Sequence, residues 1–278
     1  MSNNKIATII LNRNLPKVTN KLYQHLKKYD GNYTDIYVLE AGSDIEKMSK
    51  YCTWHENSKE AYLNGLRYCR GMNLALLNLS KEKKWNKYEG FFLITNDTEL
   101  SKKKTILPLV NILKKNKRIG IISPCSKKWG EKLILNKKKL KFFWFIHNNA
   151  LLLRRSFVED LMVTDNPTYL NFLFDGTNFR GYQSETELIA KGYVNDWASA
   201  ITSDVFCEEN ESYLIEKSKL IKTDNYNKYL KLYLEEGNAW LKSKYGFNSK
   251  WSMQFYVKAF YDQFFVNHPE LIEYKIGE

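Results

Sequence analysis

Short apolar runs alternate with amphipathic stretches along the first half of the chain. Residues 5–11, 35–39, 91–95 and 118–123 are rich in β-branched and aromatic side chains, a pattern that predicts buried strands. The stretches between them carry apolar residues at helical spacing, and Pro16 is well placed to begin the first helix. Strands and helices that alternate with short connections predict an α/β fold, a mostly parallel sheet with helices on both faces.

The helical periodicity predicts helices from Pro16 to Gly31, over about 59–79 and over about 105–115. Beyond about residue 125 the rhythm changes, and "KLIL", "LKFFWFIHNNALLL" and "YVNDWASAI" predict strands. The last part of the chain, residues 213–278, predicts a helical extension.

Aromatic residues form two stripes in the last predicted helix. One passes through Trp251 and Phe255, and the other through Tyr256, Phe260 and Phe264. Such stripes are typical of core packing. A helix face that rests on a membrane is the alternative.

Polar residues follow three of the predicted strands directly. They are Asn12-Arg13, the segment Glu40 to Asp44, and Asn96-Asp97-Thr98. In open parallel sheets, ligands bind outside the carboxyl ends of the strands. We therefore expect these residues to meet at one edge of the sheet, where Asp97 would face a ligand. An ordinary turn, in which the same side chains bond to the backbone, is the alternative.

The positive charge of the chain is concentrated in one stretch. The net charge is +12, but residues 101–141 contain 14 Lys or Arg and a single acid, Glu131, so this stretch carries +13 and the remainder −1. A solvated lysine-rich surface explains this, and so does attraction to anionic lipid, to a phosphorylated acceptor or to nucleic acid. The aromatic run at 142–145 looks buried, which makes nucleic acid unlikely as a partner.

The cysteines and histidines predict neither a zinc site nor a disulfide framework. There are four of each, scattered and without CxxC spacing. A reducing cytoplasm fits this composition, with peripheral contact at the inner face of the membrane left open. The N-terminus lacks the features of a signal peptide, and no apolar stretch approaches the ~20 residues of a membrane span.

Six segments, in order, resemble the motifs of GT-A glycosyltransferases, in particular inverting family 2. They are "IATIILNRN", "VLEAGSD", "RYCRGMNLAL", "LITNDTEL", "FIHNNALLLRRSFVEDL" and "FLFDGTNFRGYQSETELIAKGY", and the fourth is similar to the DXD variant of rhamnosyltransferase-like members. The resemblance covers roughly residues 5–207. It implies a glycosyltransferase domain over 1–212, with a nucleotide-sugar-binding half (1–124) and an acceptor half (125–212), ahead of the extension at 213–278.

The resemblance also implies the residues of a donor site, with Glu40 in contact with the nucleotide base and Asp44 nearby. Matched position by position, the donor-binding residues are Asn12, Arg13, Glu40, Asp44, Arg70, Asn73, Asn96 and Asp97. A glycosyl donor of this kind is a nucleoside diphosphate-sugar, and the resemblance favours a UDP- or dTDP-linked one. Glu40 as a solvated loop residue, and Arg70 as an exposed helix charge, are the alternatives.

Three acids of the sixth segment match the family's catalytic stretch. Glu185 falls on the position of the catalytic base, Asp175 is the alternative base, and Glu187 is the following acid, which we assign to the acceptor. A carboxylate within hydrogen-bond reach can take the proton of an attacking hydroxyl, and partial burial would raise its pKa and improve it as a base. A purely structural role for Glu185 and Glu187, as acids in the first turn of a helix, is the alternative.

A divalent cation, Mn²⁺ or Mg²⁺, is the cofactor that the resemblance implies. Asp97 would be its ligand, because hard cations are held by carboxylates together with the phosphates of the substrate. Thr95 stands where the family has the first acid of the motif, and no histidine follows the last strand of the core. Metal dependence is therefore open.

We thus expect an inverting transferase that moves one sugar to a glycan or lipid-linked acceptor, in the synthesis of a surface polysaccharide or glycoconjugate. Three alternatives remain: a catalytically silent family member, a nucleotidyltransferase, and a nucleic-acid-binding protein that uses residues 101–141. The lack of glycine in "LNRNLPK" disfavours the nucleotidyltransferase.

Overall fold

The computed structural model describes residues 5–101, 103–146 and 150–277. Lys102 of the basic stretch and residues 147–149 of the predicted strand "LKFFWFIHNNALLL" lie outside the described residues. No helix within the described ranges combines the length and the apolar character that crossing a membrane requires.

Nine strands of the described residues form one sheet in the order β3-β2-β1-β4-β8-β6-β9-β5, with β7 paired to β9. Six of them run in the same direction, whereas β8 lies antiparallel between β4 and β6, and β5 and β7 lie antiparallel to β9. The predicted α/β fold with a mostly parallel sheet is confirmed. The strands are β1 (Lys5–Asn12), β2 (Thr34–Ala41), β3 (Trp54–Glu56), β4 (Tyr88–Thr95), β5 (Thr98–Leu100), β6 (Ile119–Cys125), β7 (Leu140–Phe142), β8 (Ala150–Arg154) and β9 (Ala198–Glu209).

Ten α-helices accompany the strands within the described residues. Three further segments, Ile45–Lys47, Trp85–Lys87 and Pro269–Tyr274, are 3₁₀ turns. The first predicted helix and the one over 105–115 are confirmed. The helices are α1 (Pro16–Asp30), α2 (Lys59–Asn64), α3 (Arg67–Lys81), α4 (Ile106–Lys115), α5 (Glu131–Leu135), α6 (Arg155–Leu161), α7 (Ser184–Val194), α8 (Ser212–Glu216), α9 (Tyr226–Tyr245) and α10 (Lys250–Asn267).

Three boundaries differ from the prediction. The single helix over 59–79 is wrong, because the backbone turns at Gly65, where φ is 70°, and divides it into α2 and α3. The strand expected in "LKFFWFIHNNALLL" is two strands, β7 and β8. In "YVNDWASAI" the first two residues end α7 and β9 begins at Ala198. The strand expected at "KLIL" is wrong, since these residues form most of α5, and an apolar run this short does not distinguish a strand from a helix.

The helical extension shares the core of the sheet. The buried face of α10 consists of Met253, Val257, Tyr261, Phe264 and Phe265, which join the same hydrophobic cluster as the central strands. The predicted core packing of the first aromatic stripe is wrong, since Trp251 is 60% and Phe255 73% exposed. Apolar residues occur on nearly every side of α10. A spacing of four residues therefore could not identify which side is buried. The domain boundaries at 124 and 212 stay predictions.

Helix α9 approaches the body of the protein closely at Gly237. A Cβ built at this position would lie 2.3 Å from Cγ of Tyr182, which is far shorter than any real contact. The ring of Tyr182 also meets Tyr233 of the same helix edge to face. Only glycine therefore allows α9 to sit this near to the loop that precedes α7.

Asp30 ties the end of α1 to the beginning of α4. Its buried carboxylate accepts hydrogen bonds from the backbone N–H groups of Thr105 and Ile106, at 2.9 to 3.1 Å. These N–H groups lie at the beginning of a helix, where no intrahelical partner exists for them.

Replacing Asp30 with alanine should lower the free energy of unfolding by about 1–3 kcal/mol, because two buried N–H groups lose their acceptor. Urea denaturation of the wild type and the variant measures the difference. Asp165→Ala, which removes an exposed aspartate, serves as the control. Equal losses in the two variants would contradict the capping role.

Candidate functional site

A buried carboxylate joins the carboxyl ends of three neighbouring strands. Glu40, at the end of β2, is fully buried and accepts hydrogen bonds from Nδ2 of Asn12 (2.8 and 3.0 Å), Oγ of Ser43 (2.5 Å) and the backbone N–H of Ser49 (2.8 Å). Asn12 in turn accepts a hydrogen bond from Nδ2 of Asn96, which follows β4, at 2.6 Å. The polar residues do meet at one edge, but Glu40 supports Asn12 and is not exposed to a ligand.

Two adjoining cavities open at this edge. One has a volume of about 220 Å³ and lies against Asn12, Arg13 and Asn96; the other, of about 380 Å³, lies against Glu185 and Arg180. Both are bounded by residues that they share: Arg67, Thr95, Asp97, Leu214 and Tyr229. Together they form an elongated site of the size that ligands such as nucleotide-sugars require.

Residues 211–225, which we call the cover segment, lie over the smaller cavity. Asn14 donates to the carbonyl of Leu220 at 2.8 Å, and Arg67 donates to Oγ1 of Thr223 at 3.1 Å. Lys222 forms an ion pair with Asp44, and with Lys47 it lowers the pKa of Asp44 to about 2. The predicted donor residue Asp44 is thus occupied in holding the cover segment in place.

Glu185 lies at the beginning of α7 and lines the larger cavity. Its carboxylate accepts a weak hydrogen bond from Oγ of Ser184, at 3.4 Å. Burial raises the pKa of Glu185 to about 7. A carboxylate with such a pKa, facing a cavity, can take up a proton near neutral pH.

Asp175 and Glu187 point to the helical extension and not to the cavity. Lys244 of α9 lies 2.5 Å from Asp175 and 2.6 Å from Glu187, and Tyr245 donates to Glu187 at 2.5 Å. Burial alone would raise the pKa of Asp175, but hydrogen bonds from Lys244, Thr177 and Trp240 hold this pKa well below its usual range. These two acids fasten α9 to the core, an arrangement that gives no support to a role as base or acceptor ligand.

Arg70 and Asn73 are also occupied within the protein. Arg70 donates to the carbonyl of Gly176 at 2.7 Å and pairs with Glu60 at 2.5 Å. Asn73 is fully buried and bonds to the backbone of residues 169, 173 and 174 through both its amide and its carbonyl group. Their contacts orient the loop before α7, and neither residue lines the two cavities.

Three arginines surround the cavities, and the sequence pointed to only one of them. Arg13 donates to the carbonyls of Tyr62 and Leu63 at 2.9 and 3.1 Å, whereas Arg67 and Arg180 stack against the ring of Tyr229. Burial lowers the pKa of Arg67, and burial together with the charge of Arg67 lowers the pKa of Arg13 to about 10. Arg180 is partly neutralised, because it forms ion pairs with Asp224 and Glu236 at 3.4 and 3.1 Å.

Several guanidinium N–H groups of these arginines have no hydrogen-bond partner among the described residues. They include Nε of Arg67 and Nη1 of Arg180, both buried. Buried donors are rarely left unpaired, because the lost hydrogen bond costs about 1–3 kcal/mol. An anion in the larger cavity would satisfy them, and a diphosphate matches the planar geometry of arginine.

Asp97 offers one oxygen to a cation. Its Oδ1 is buried and has no hydrogen-bond partner among the described residues, and burial raises the pKa of the carboxyl group. Within the described part of the chain, no three His, Cys, Asp or Glu side chains come together in a way that could hold a metal ion. The site therefore fits a cation that has Asp97 as ligand and takes most of its remaining ligands from phosphates and water.

Sequence reasoning missed Arg67, Arg180 and the cover segment. Arg67 stands three residues before Arg70 in the segment matched to the family, and Arg180 lies in "NFRGYQ", between the predicted acids. A signal for the cover segment was present, since apolar periodicity is weak between residues 217 and 224 and Asn225 caps the helix that follows.

No family model and no curated protein sequence matches the chain. Solved structures do. A mannosyltransferase from Pyrobaculum calidifontis, in complex with GDP-Man and Mn²⁺, is 12% identical, with a TM-score of 0.51 over 93% of this chain and 86% of that one. GalNAc-T7 with UDP, GalNAc and Mn²⁺ is 10% identical, with a TM-score of 0.55 over 87% of this chain and 58% of that one.

A third similar structure, residues 1–349 of S. aureus TarS, is 13% identical with a TM-score of 0.51, over 87% of this chain and 72% of that one. Identities this low establish the fold and nothing more. The chain has the GT-A fold of these glycosyltransferases, as the sequence motifs indicated.

The raised pKa of Glu185 predicts that the free energy of unfolding depends on pH. The ordinary pKa of 4.5 becomes about 7 in the folded protein, so the folded state binds the proton more tightly than the unfolded state. The contribution of protonated Glu185 is therefore fully present below pH 4.5 and lost as the pH rises through about 7.

Glu185→Gln imitates the protonated form and removes this dependence. The unfolding free energy of the wild type, relative to that of the variant, should fall as the pH rises over that range. Denaturant titrations at a series of pH values measure it. A difference that does not change with pH would mean that Glu185 has an ordinary pKa.

Proposed function

We propose that the protein is an inverting glycosyltransferase that moves a single sugar from a nucleoside diphosphate-sugar to a glycan or lipid-linked acceptor. One observation carries the proposal: a carboxylate with a pKa of about 7 and two arginines with unpaired N–H groups line the same cavity at the carboxyl edge of a GT-A sheet. The chemistry of sugar transfer needs this pair, a base for the acceptor and positive charge for the leaving group.

The donor would lie along both cavities. The nucleoside would enter the smaller one, between Asn12, Arg13 and Leu66, and the diphosphate would reach Arg67 and Arg180. UDP- or dTDP-linked sugars are favoured by the sequence motifs, and two of the similar structures contain GDP-Man or UDP. The cover segment would then close the nucleoside away from water.

The acceptor hydroxyl would approach Glu185, which takes its proton as the oxygen attacks the anomeric carbon from the face opposite the diphosphate. Arg67 and Arg180 stabilise the negative charge that develops on the departing diphosphate. A divalent cation at Asp97, when bound, would add charge neutralisation at the same phosphates. A direct displacement with one base inverts the anomeric centre, and no covalent intermediate is required.

A catalytically silent protein that keeps the nucleotide site is the second candidate. Two observations favour it: Thr95 replaces the first acid of the motif, and the cover segment is fastened over the donor cavity by Lys222 and its neighbours. Such a protein would bind nucleotide without turnover.

Synthesis of a surface polysaccharide or glycoconjugate is the pathway that we propose for the active enzyme.

Replacing Glu185 with Gln should lower the rate of transfer at least about 100-fold, because the acceptor loses its base, while donor affinity stays the same. Turnover by the wild type should rise with pH through about 7 as Glu185 ionises. Donor hydrolysis or transfer, together with calorimetric donor binding, measures both. Glu187→Gln is the matched control, and equal losses in both variants would remove Glu185 from the role of base.

Measuring nucleotide binding with and without a divalent cation distinguishes the contribution of Arg180 from that of Asp97. Arg180→Met should weaken the binding of a nucleoside diphosphate about 10- to 100-fold in EDTA, since charged hydrogen bonds to phosphate are lost. It should weaken the binding of the free nucleoside less, because there it acts only through its ion pair with Asp224 of the cover segment. Asp97→Asn should abolish only the increment that Mn²⁺ or Mg²⁺ adds.

Thermal unfolding against UDP, dTDP and GDP, with and without metal, measures these effects through the shift of the midpoint. The control is Arg155→Met. Arg155 is more exposed than Arg180 and lines a different cavity. A metal-free shift that survives in Arg180→Met would overturn the assignment of the diphosphate site. No shift with any nucleotide would overturn the proposed function itself.

A further inference from the structure

Two groups of the basic stretch lie at opposite ends of strand β6. Lys114, Lys115, Lys117 and Arg118 precede β6, whereas residues 127–139 follow it. A strand of this length spans roughly 20 Å, so the two groups of lysines are well separated. Residue 140, which follows the second group, pairs with Thr202 of β9, as does Pro124 at the end of β6, and this places that group at the edge of the cavities.

Residues 127–139, which we call the basic–apolar segment, face outward almost entirely. Glu131 and Leu135 are each 1% exposed and anchor α5 to the body, and all other residues of the segment are exposed. The carboxylate of Glu131, the one acid of the segment, accepts a hydrogen bond from the backbone N–H of Ser126. The outer face therefore carries lysines without an acid of its own: Lys127, Lys128, Lys132, Lys137, Lys138 and Lys139.

Large apolar side chains lie among these lysines. Leu133 is 83% exposed, Trp129 42% and Ile134 38%. Leu133 projects from the side of α5 opposite its buried residues, because positions 131 and 135 lie one turn apart on the inner side, and Ile134 projects from the flank. Several apolar side chains this exposed, in a segment rich in lysine, are costly in water and indicate a partner.

We propose that the basic–apolar segment binds the surface of a bilayer that contains anionic lipids. Lysines are attracted to anionic headgroups, while leucine, isoleucine and tryptophan side chains enter the boundary between headgroups and acyl chains. Nucleic acid would match the lysines alone, since it has no apolar phase for Leu133 and Ile134. One lysine is already neutralised, because Lys139 forms an ion pair with Asp204 at 3.2 Å.

The position of the basic–apolar segment also bears on the acceptor. This part of the proposal, unlike the membrane contact itself, rests on the proposed function. Lys128 and Trp129 adjoin Glu209 and Glu211, and these two acids also line the cavity of Glu185. A bilayer in contact with the segment would therefore lie beside the acceptor end of the site. A lipid-linked acceptor would reach Glu185 from its own membrane, which favours it over a soluble glycan.

Sedimentation with vesicles tests the membrane contact without any substrate, so that its outcome is independent of the enzymatic activity. The full chain should bind vesicles of phosphatidylcholine mixed with phosphatidylglycerol, and not vesicles of phosphatidylcholine alone. The triple variant Lys132→Gln/Lys137→Gln/Lys138→Gln should lower the partition coefficient roughly 100-fold. Leu133→Gln/Ile134→Gln, which leaves the charge unchanged, should lower it about tenfold.

Two control variants test whether vesicle binding depends on the basic–apolar segment itself or only on the overall charge and apolar surface of the protein. Lys114→Gln/Lys115→Gln/Lys117→Gln removes the same charge at the opposite end of β6 and should change binding less than about threefold, since salt screens charges at such a distance. Trp251→Gln/Phe255→Gln removes exposed aromatic residues of α10 and should have no effect. Circular dichroism and thermal unfolding of every variant establish that it is folded.

Three results would overturn the proposal. Equal losses in both lysine variants would mean that binding follows net charge only. A loss confined to Trp251→Gln/Phe255→Gln would assign the contact to α10. Absence of vesicle binding by the wild type, or tighter salt-dependent binding to duplex DNA than to anionic vesicles, would exclude a membrane surface.

Discussion

The site depends on one constraint, a buried carboxylate that must find donors for its oxygens. Glu40 has no contact with solvent, and a charge in this position is tolerable only because Asn12, Ser43 and the backbone of Ser49 all donate to it. These bonds fix the ends of β1 and β2 against each other, and the bond from Asn96 adds the end of β4. A slip of one residue in the strand register would leave the charge buried and unpaired.

The edge that this network holds brings charges of both signs together. Arg67 and Asp97 border both cavities, Arg13 lines the smaller one, and Arg180 and Glu185 line the larger one. Burial lowers the pKa of the arginines and raises that of the acids, so each group is less stable in its ionised form than it would be in water. An anionic ligand would stabilise the ionised arginines, and a proton or a cation would neutralise the buried acids.

Strands β1, β2, β4 and β6 could be predicted because buried parallel strands are continuous apolar runs, and the polar residues after them follow from the topology. The resemblance placed both Glu185 and Glu187 at the site, and sequence alone could not show that only Glu185 lines the cavity. Residues two apart on a helix point about 200° apart, so one of them reaches the cavity while the other meets Lys244. Arg180 and the cover segment belong to the site through contacts between distant parts of the chain, which no local pattern records.

Gly237 has a consequence for the range of molecules that the larger cavity can admit. Helix α9 supplies one wall of this cavity through Tyr226, Tyr229, Leu230 and Tyr233, and the closeness of that wall is set where the helix touches Tyr182 at the glycine. Any side chain at position 237 would force the wall outward. The breadth of the cavity is therefore governed by a residue with no atom in it, and selectivity by size can be altered without changing a single group that touches the ligand.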